Sequence, residues 1–499
     1  MTPYLNIGTA AASAVGLFIV SCIYTAIYNF CFHPLRKFPG PISAAVSNWP
    51  FIIARARGIH PHRTARLHAQ YGDVVRIAPN ELSFISAEAW RDIYGHKIAG
   101  KGGLPKDRNF YGTDVVGSNS IIRTNDADHS RQRRLLAHAF SDKALREQEP
   151  LIRKYVDLLI EKMQDVARTP SASIDMVRYY NCCTFDIMAD LTFGEPLGLL
   201  EQSDYTPWVA AVFASLKTNN IRALVRTYFS LTSTVVDKLL MSESDIVKRK
   251  LHVQHSIDRV DRRLECKTDR PDIMAFVLRH NDEKGMTRTE LHANGSVLMI
   301  AGTETTATLL SGVTYYLLRD KHVLDKLTAE IRGVFKSPEE MNMTTLGQLP
   351  YLRAVLDEGL RMYPPVPAGL PRVVPPEGRI ICGNSVPGGA IVTLSQYAAY
   401  HSASNFHKPE SFLPERWLSN SEPRFANDEH SVVEPFSYGP RNCIGKNLAY
   451  HEMRLILASV LWHFDLQICD ESVTWPDQSV YTVWEKSALM TTIAPAARA

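Results

Sequence analysis

Two periodicities of apolar residues run along this chain, and they divide it unequally. Leu151–Val166, Ile246–Leu264, Leu291–Leu310 and Lys446–Leu457 return apolar residues at helical spacing, the pattern of a helix with one buried face. Period-two alternation is confined to short stretches. Val74–Ile77 and Glu81–Ile85 flank Ala78-Pro79-Asn80 and read as a hairpin. Arg379–Ile381, a turn at Gly383-Asn384, and Ala390–Leu394 after Pro387-Gly388-Gly389 read as a second β unit. The pattern predicts a mainly α chain with small β-sheets, an α+β arrangement. Ile246–Leu264 is densely and alternately charged, which makes it a solvated helix. Gly100–Gly117 holds five glycines and reads as a loop. There is no internal repeat and no low-complexity tract.

The first 32 residues are of another kind. No Asp, Glu, Lys or Arg occurs from Met1 to Phe32, and residues 7–28 are almost wholly apolar. About 20 such residues span a bilayer, so 1–32 reads as a membrane anchor. A cleaved signal peptide has a shorter apolar core, ~7–15 residues, behind a basic start, and this segment has neither property. Arg36 and Lys37 follow at once, which keeps the remainder cytosolic by the positive-inside rule. An endoplasmic-reticulum membrane with a single pass is the expected setting. Tyr24, Tyr28 and Phe30 suit the interface. His33–Pro41 carries three prolines, which restrict their own φ and the preceding residue, and reads as a stiff hinge. Residues 42–499 remain for one globule, although 499 residues would by length alone allow two or three domains.

Composition narrows the function by exclusion. Lys plus Arg is 55 and Asp plus Glu is 52, net +3, with no basic stretch interleaved with aromatics, so nucleic acid is not an expected partner. The eight cysteines are scattered without a C-x-x-C pair, which gives no zinc pattern. With the globule in the cytosol they are expected to be reduced.

One cysteine stands apart. Cys443 sits in Phe436-Ser-Tyr-Gly-Pro-Arg-Asn-Cys-Ile-Gly445, just before the helical run that starts at Lys446. Free N–H groups and the positive dipole end at a helix start favour an anion, and such surroundings lower a thiol pKa from about 8.5. A thiolate there suits haem iron. Gly439 and Gly445 can take positive φ and leave room for a flat ligand. Phe436 can cover the sulfur, and Arg441 can pair with a ligand carboxylate. A lone cysteine is more often an inert buried one; this spacing of Phe, Gly, Arg and Gly around it is not explained that way.

The loop resembles the haem-binding signature Phe-x-x-Gly-x-Arg-x-Cys-x-Gly of the cytochrome P-450 superfamily. Further motifs resemble that family in its order: Ala301-Gly-Thr-Glu-Thr-Thr306, Glu358-Gly-Leu-Arg361 and Phe412-Leu-Pro-Glu-Arg-Trp417. The likeness spans roughly residues 33–499, and the hinge is similar to that of membrane-bound members from filamentous fungi. It implies a haem-thiolate monooxygenase with Cys443 as axial ligand of haem b. It also implies a lipophilic substrate, dioxygen, and electrons from NADPH through a separate flavoprotein reductase.

The resemblance assigns roles to particular residues. Thr305 is to hydrogen-bond dioxygen, Glu304 to bring protons from solvent, and Ala301 with Gly302 to leave space, with a distortion of the helix at Gly302. Arg372, Arg441, and His129 with Arg133 are to hold the haem carboxylates. The last two are four apart and share a helix face; the family more often has Trp where His129 stands, and taken alone this segment reads equally as a surface basic helix. Glu358, Arg361 and Arg416 are to form a buried structural network. Substrate contacts are implied at Gly102–Ser120, Leu199–Phe229, Leu298–Ala301, Val366–Leu370 and Val480–Val483, and Arg131, Arg134 and Lys446 are candidate reductase contacts. A haem isomerase without oxygen activation and a haem-binding sensor are the rival readings.

Overall fold

Hydroxyl caps at Ser141 and Thr287 start two of the helices read from the apolar pattern ahead of its first apolar position. The computed structural model describes residues 7–96, 103–112, 117–229, 243–266, 268, 270–282 and 285–496. Its principal helices are α1 (Ile7–Cys31), α2 (Trp49–Ala56), α3 (His60–Tyr71), α4 (Asp126–Ala137), α5 (Asp142–Ala167), α6 (Met176–Phe193), α7 (Pro207–Tyr228), α8 (Glu243–Glu265), α9 (Arg288–Arg319), α10 (Lys321–Val334), α11 (Pro350–Met362) and α12 (Lys446–His463). In α5 the Ser141 hydroxyl accepts from the Ala144 amide at 3.3 Å, and the helix runs on through Pro150 rather than starting at Leu151. Burial of Ala144, Leu145 and Gln148 outweighs the one hydrogen bond that Pro150 cannot donate.

Helix α9 crosses the centre of the globule. A capping box of Thr287 and Glu290 starts it, and it packs along α6, whose residues are nearly all buried. A helix apolar all round belongs in a core. α9 runs unbroken through Gly302, without the expected interruption. A Cβ at Gly302 would lie 2.7 Å from Met188 Sδ and Cε, so this glycine serves the close approach of α6.

Four small sheets flank the helices. β1 (Val74–Ala78) and β2 (Glu81–Phe84) form the expected hairpin, antiparallel from Val74↔Phe84 to Ala78↔Glu81. The second expected β unit is divided. β5 (Arg379–Ile381) pairs with β6 (Asn384–Val386) as its own hairpin, while β7 (Ile391–Leu394) runs parallel to β2 in the order β1-β2-β7-β4, where β4 is Arg372–Val373. The turn signal was local; the pairing of β7 is with a strand far away in sequence. Two further sheets, β3-β11-β8 (Ser173–Asp175, Met490–Pro495, Phe464–Ile468) and β9-β10 (Val480–Tyr481, Val483–Trp484), had no clear alternation to reveal them.

α1 stands apart from the core. Ala12–Cys31 has mean hydropathy 1.8 and is almost wholly exposed, Asn29 excepted, which makes it a candidate membrane span. The hinge after it is docked: Leu35 and Phe38 are buried, the Arg76 amide donates to Pro39 O at 2.7 Å, and the Arg76 guanidinium donates to Asn29 O at 3.1 Å. The predicted loop at 100–117 and the substrate segment 102–120 lie partly outside the described residues; within them, Arg108–Tyr111 forms a short helix capped by Asp107.

Candidate active site

The loop before α12 closes on itself, because the Cys443 amide donates to Phe436 O at 2.8 Å. Cys443 lies deep in the protein, yet its sulfur is exposed, since the surface it shows faces an internal cavity of about 340 Å³. Burial pushes its thiol up; the Gly445 amide, Arg133 and Lys446 pull the other way without offsetting it. Phe436 packs at a tilt against Tyr450 with ring centres 5.3 Å apart, and Lys446 Nζ sits 5.7 Å over its ring.

The two loop glycines differ. Gly439 has φ +73°, and a Cβ there would meet Tyr94 O at 2.2 Å. Gly445 has φ −87°, not the expected positive value, and a Cβ would touch only Phe140 and Cys443 Sγ, at 3.8 and 3.9 Å. The protein itself thus tolerates a methyl at 445, which would project beside the sulfur. Gly439→Ala is expected to lower stability by about 1–2 kcal/mol or more, from the left-handed backbone and the clash. Gly445→Ala should leave the melting of cofactor-free protein unchanged and reduce haem retention. Calorimetric melts and the haem-to-protein absorbance ratio check both.

Opposite chemistry lines the cavity edge. Lys106, His129, Arg133, Arg372 and Arg441 all line it. A β-bridge of Lys106 to Arg372 carries the lysine there from a glycine-rich segment with no local signal, so the sequence did not mark it. Burial, then Arg372 and Arg441, lower the Lys106 amine to about 6. Burial, then Arg441, Arg133 and Lys106, lower His129 to about 3, so it is a neutral imidazole offering hydrogen bonds without charge. Arg133 donates to Asn442 O and Oδ1, both at 2.6 Å, tying α4 to the cysteine loop. Arg441 donates to Thr124 O at 3.0 Å and to Asp126 Oδ1 at 2.7 Å, but its Nη1 and the Nε of Arg372 are buried without a hydrogen-bond partner. Buried guanidinium atoms left unsatisfied beside an apolar chamber fit a flat apolar ligand that carries carboxylates. With the sulfur and the open face at Gly445, the residues present fit haem.

From α9, Ala301, Gly302, Thr305, Thr306 and Leu309 face the same cavity. The Thr305 hydroxyl donates to Ala301 O at 2.7 Å, a back-bond within its own helix. Glu304 does not line the cavity. Its Oε1 is paired with Lys486, which also donates to Thr308 Oγ1 at 2.6 Å, while Oε2 is buried with no hydrogen-bond partner. Nothing near Lys486 in sequence indicates this pairing, because it arises from the C-terminal chain folding back onto α9.

Behind the cavity lies a fully buried ion network. Glu358 and Arg361 are joined by bonds of 2.8 and 2.9 Å, and Arg416 Nε donates to Glu358 Oε1 at 3.2 Å, with all these side chains inaccessible. Trp417 Nε1 and the Leu413 amide each donate to Glu358 at 2.8 Å, and Asp428 pairs with Arg416. Arg361 also donates to the carbonyls of Tyr400, Pro409 and Ser411. Burial alone would raise the Glu358 carboxyl; Arg361, Arg416 and the Leu413 amide hold it below its ordinary value.

Comparison with known proteins now gives this geometry a class. The family model for cytochrome P450 matches residues 39–489, and the chain belongs to that family. It is 47% identical to the cytochrome P450 monooxygenase efuB of Hormonema carpetanum, covering 99% of this chain and 98% of that protein. It is 44% identical to the cytochrome P450 monooxygenase astJ of Aspergillus oryzae (95% and 94% covered) and 46% identical to the cytochrome P450 monooxygenase FUM2 of Gibberella moniliformis (93% and 98% covered). The protein is a monooxygenase whose cofactor is haem with a cysteine-ligated iron.

Proposed function

We propose that this chain is an endoplasmic-reticulum monooxygenase of fungal secondary metabolism. It inserts one oxygen atom from dioxygen into a lipophilic terpenoid, polyketide or alkaloid skeleton, with electrons from NADPH through a separate flavoprotein reductase. The observation that carries this reading is one apolar cavity reached by both Cys443 and Thr305, with a basic edge and orphaned guanidinium nitrogens. The fungal-type hinge and the relatives from Hormonema, Aspergillus and Gibberella support the metabolic setting.

In this scheme Cys443 would hold the haem iron. Arg372 and Arg441 take the haem carboxylates, with Lys106, Arg133 and neutral His129 beside them. Haem, once held there, supplies the activation of dioxygen. Phe436 and Tyr450 keep water from the sulfur. Ala301 and Gly302 leave space above the ring. Thr305 Oγ1 releases Ala301 O to hold a water or pass a proton. Glu304, held by Lys486 outside the cavity lining, is not placed to hand that proton to Thr305 directly. Arg134 and Lys446 are exposed and suit a reductase; Arg131 is committed to Glu290 at 2.5 Å and Asp128 at 3.0 Å, and drops out of that set.

The test is reconstitution of the full chain with a fungal reductase, NADPH and isotope-labelled dioxygen, beside metabolite profiles of a host with and without the chain. One labelled oxygen in a product that accumulates only with the chain is expected. Product formed without reductase or dioxygen would overturn the reading in favour of isomerase chemistry. Thr305→Ala should lower the fraction of NADPH electrons recovered in product by roughly 10- to 100-fold, with peroxide taking the balance. Unchanged coupling removes the role given to Thr305.

A further inference from the structure

Two cavities share one wall. Along 106–111, Lys106 and Tyr111 face the large cavity while Asp107 and Phe110 face a smaller one of about 50 Å³. Along 369–372 the alternation repeats: Leu370 and Arg372 face the large cavity, Gly369 and Pro371 the small one. Among the described residues, the expected substrate segments 199–229 and 480–483 reach the small cavity, through Asn220, Tyr228, Val480 and Thr482, and not the large one.

The small cavity is polar in a particular way. Arg55, from α2, donates to Asn220 Oδ1 at 2.7 Å and lies 5.3 Å from the Phe110 ring centre. Glu81, at the start of β2, accepts from the Tyr228 hydroxyl of α7. Asp107 accepts from the Asn109 amide at 3.0 Å through Oδ1. Among the described residues, Glu81 Oε2 and Asp107 Oδ2 take no hydrogen bond. These groups come from separate segments and meet only in the fold. Burial pushes the Glu81 carboxyl up to about 7, against the Tyr228 hydroxyl and Arg55. A desolvated group of that kind gains from a further donor.

Sign and size select the ligand. A carboxylate entering here meets Glu81 and Asp107 and pays like-charge repulsion at low dielectric, while an ammonium is drawn to those carboxylates but offers no acceptor to Arg55. A neutral hydroxyl meets acceptors and a donor at once. One water needs about 10–15 Å³ of cavity space, so the cavity admits a small polar end group.

We propose that this cavity is a recognition subsite for a neutral hydroxyl on the substrate, remote from the carbon that is oxidised, with Glu81 and Asp107 accepting and Arg55 donating. The proposal rests on the large cavity holding the reacting part of the substrate, as in the functional reading above. It narrows the substrate to a lipophilic skeleton already bearing a hydroxyl, so a hydroxyl-forming or hydroxyl-retaining reaction must precede this one.

The experiment is calorimetric titration of the full haem-loaded chain in lipid nanodiscs with matched probes: farnesol against farnesene, and dodecanol against dodecane, dodecanoic acid and dodecylamine. The wild type is expected to bind the alcohols roughly tenfold tighter or more than their partners, the range of a hydrogen bond to charged groups. The double variant Arg55→Met, Glu81→Leu should erase that preference, and Glu81→Gln should reduce it several-fold. Equal binding of alcohol and hydrocarbon, failure of every alcohol to bind, preference for the acid or amine, or a preference that survives both variants overturns the subsite. The reduced carbon monoxide spectrum is taken on each sample. An intact thiolate-type Soret band with no alcohol preference sinks the subsite alone, whereas its absence from the wild type sinks the functional reading instead. Should the double variant lose that band, Glu81→Gln decides.

Discussion

Cys443→Ala should yield a chain whose reduced carbon monoxide complex lacks the thiolate-type Soret band and whose monooxygenase turnover is at background. Alanine offers no donor, and the surroundings do not supply a second thiol, since no other cysteine lines the cavity among the described residues. Partners outside the ligand set are themselves worth roughly 10- to 100-fold in metal affinity, so loss of the ligand should exceed that. Any haem retained would rest on the basic edge alone and could be captured by His129, which faces the same cavity. That outcome has its own imidazole-type spectrum. Persistence of the thiolate-type band in the variant would remove Cys443 from its role.

Glu358→Ala should be the most damaging change away from the cavity. It leaves Arg361 a buried charge held only by carbonyls, removes one of the two carboxylates on Arg416, and leaves Trp417 Nε1 and the Leu413 amide without their acceptor. Breaking a buried pair at one end costs about 3–5 kcal/mol, a large part of the ~5–15 kcal/mol by which a fold is stable. Low soluble yield, poor haem content and a much lowered melting temperature are expected. Lys321–Asp325 supplies the control: also a single-turn helical pair, at 2.8 Å, but with side chains 84% and 58% exposed. Lys321→Ala should cost about 0.5 kcal/mol or less. Equal melting of the two variants would show that burial does not set the value of the Glu358 network.

The contrast between these pairs shows how far spacing alone reaches. Glu358 and Arg361 were visible as one helical turn, and Arg416 as their partner only by resemblance. Asp428, Trp417 and three backbone carbonyls completed the network only once the chain had folded. The cysteine loop was legible because all its parts lie within ten residues. Even there, Gly445 has φ −87° rather than the expected positive value, and its open face beside Cys443 Sγ emerges only in the fold. Glu304 was expected by resemblance to bring protons from solvent, but its side chain pairs with Lys486 and does not line the cavity.

Local order was therefore written into the chain itself: the apolar segment Ala12–Cys31, the β1–β2 hairpin, the capped central helix, and a sulfur between glycines at a helix start. Those features depend on neighbours a few positions apart, where spacing maps directly onto geometry. Tertiary packing alone decided that β7 joins β2, that Lys106 reaches Arg372, and that Arg55, Glu81 and Asp107 meet in one small chamber. Such groups come together only when distant segments bury a common surface, and the energy that does so is non-directional. It leaves no periodicity at the positions it unites.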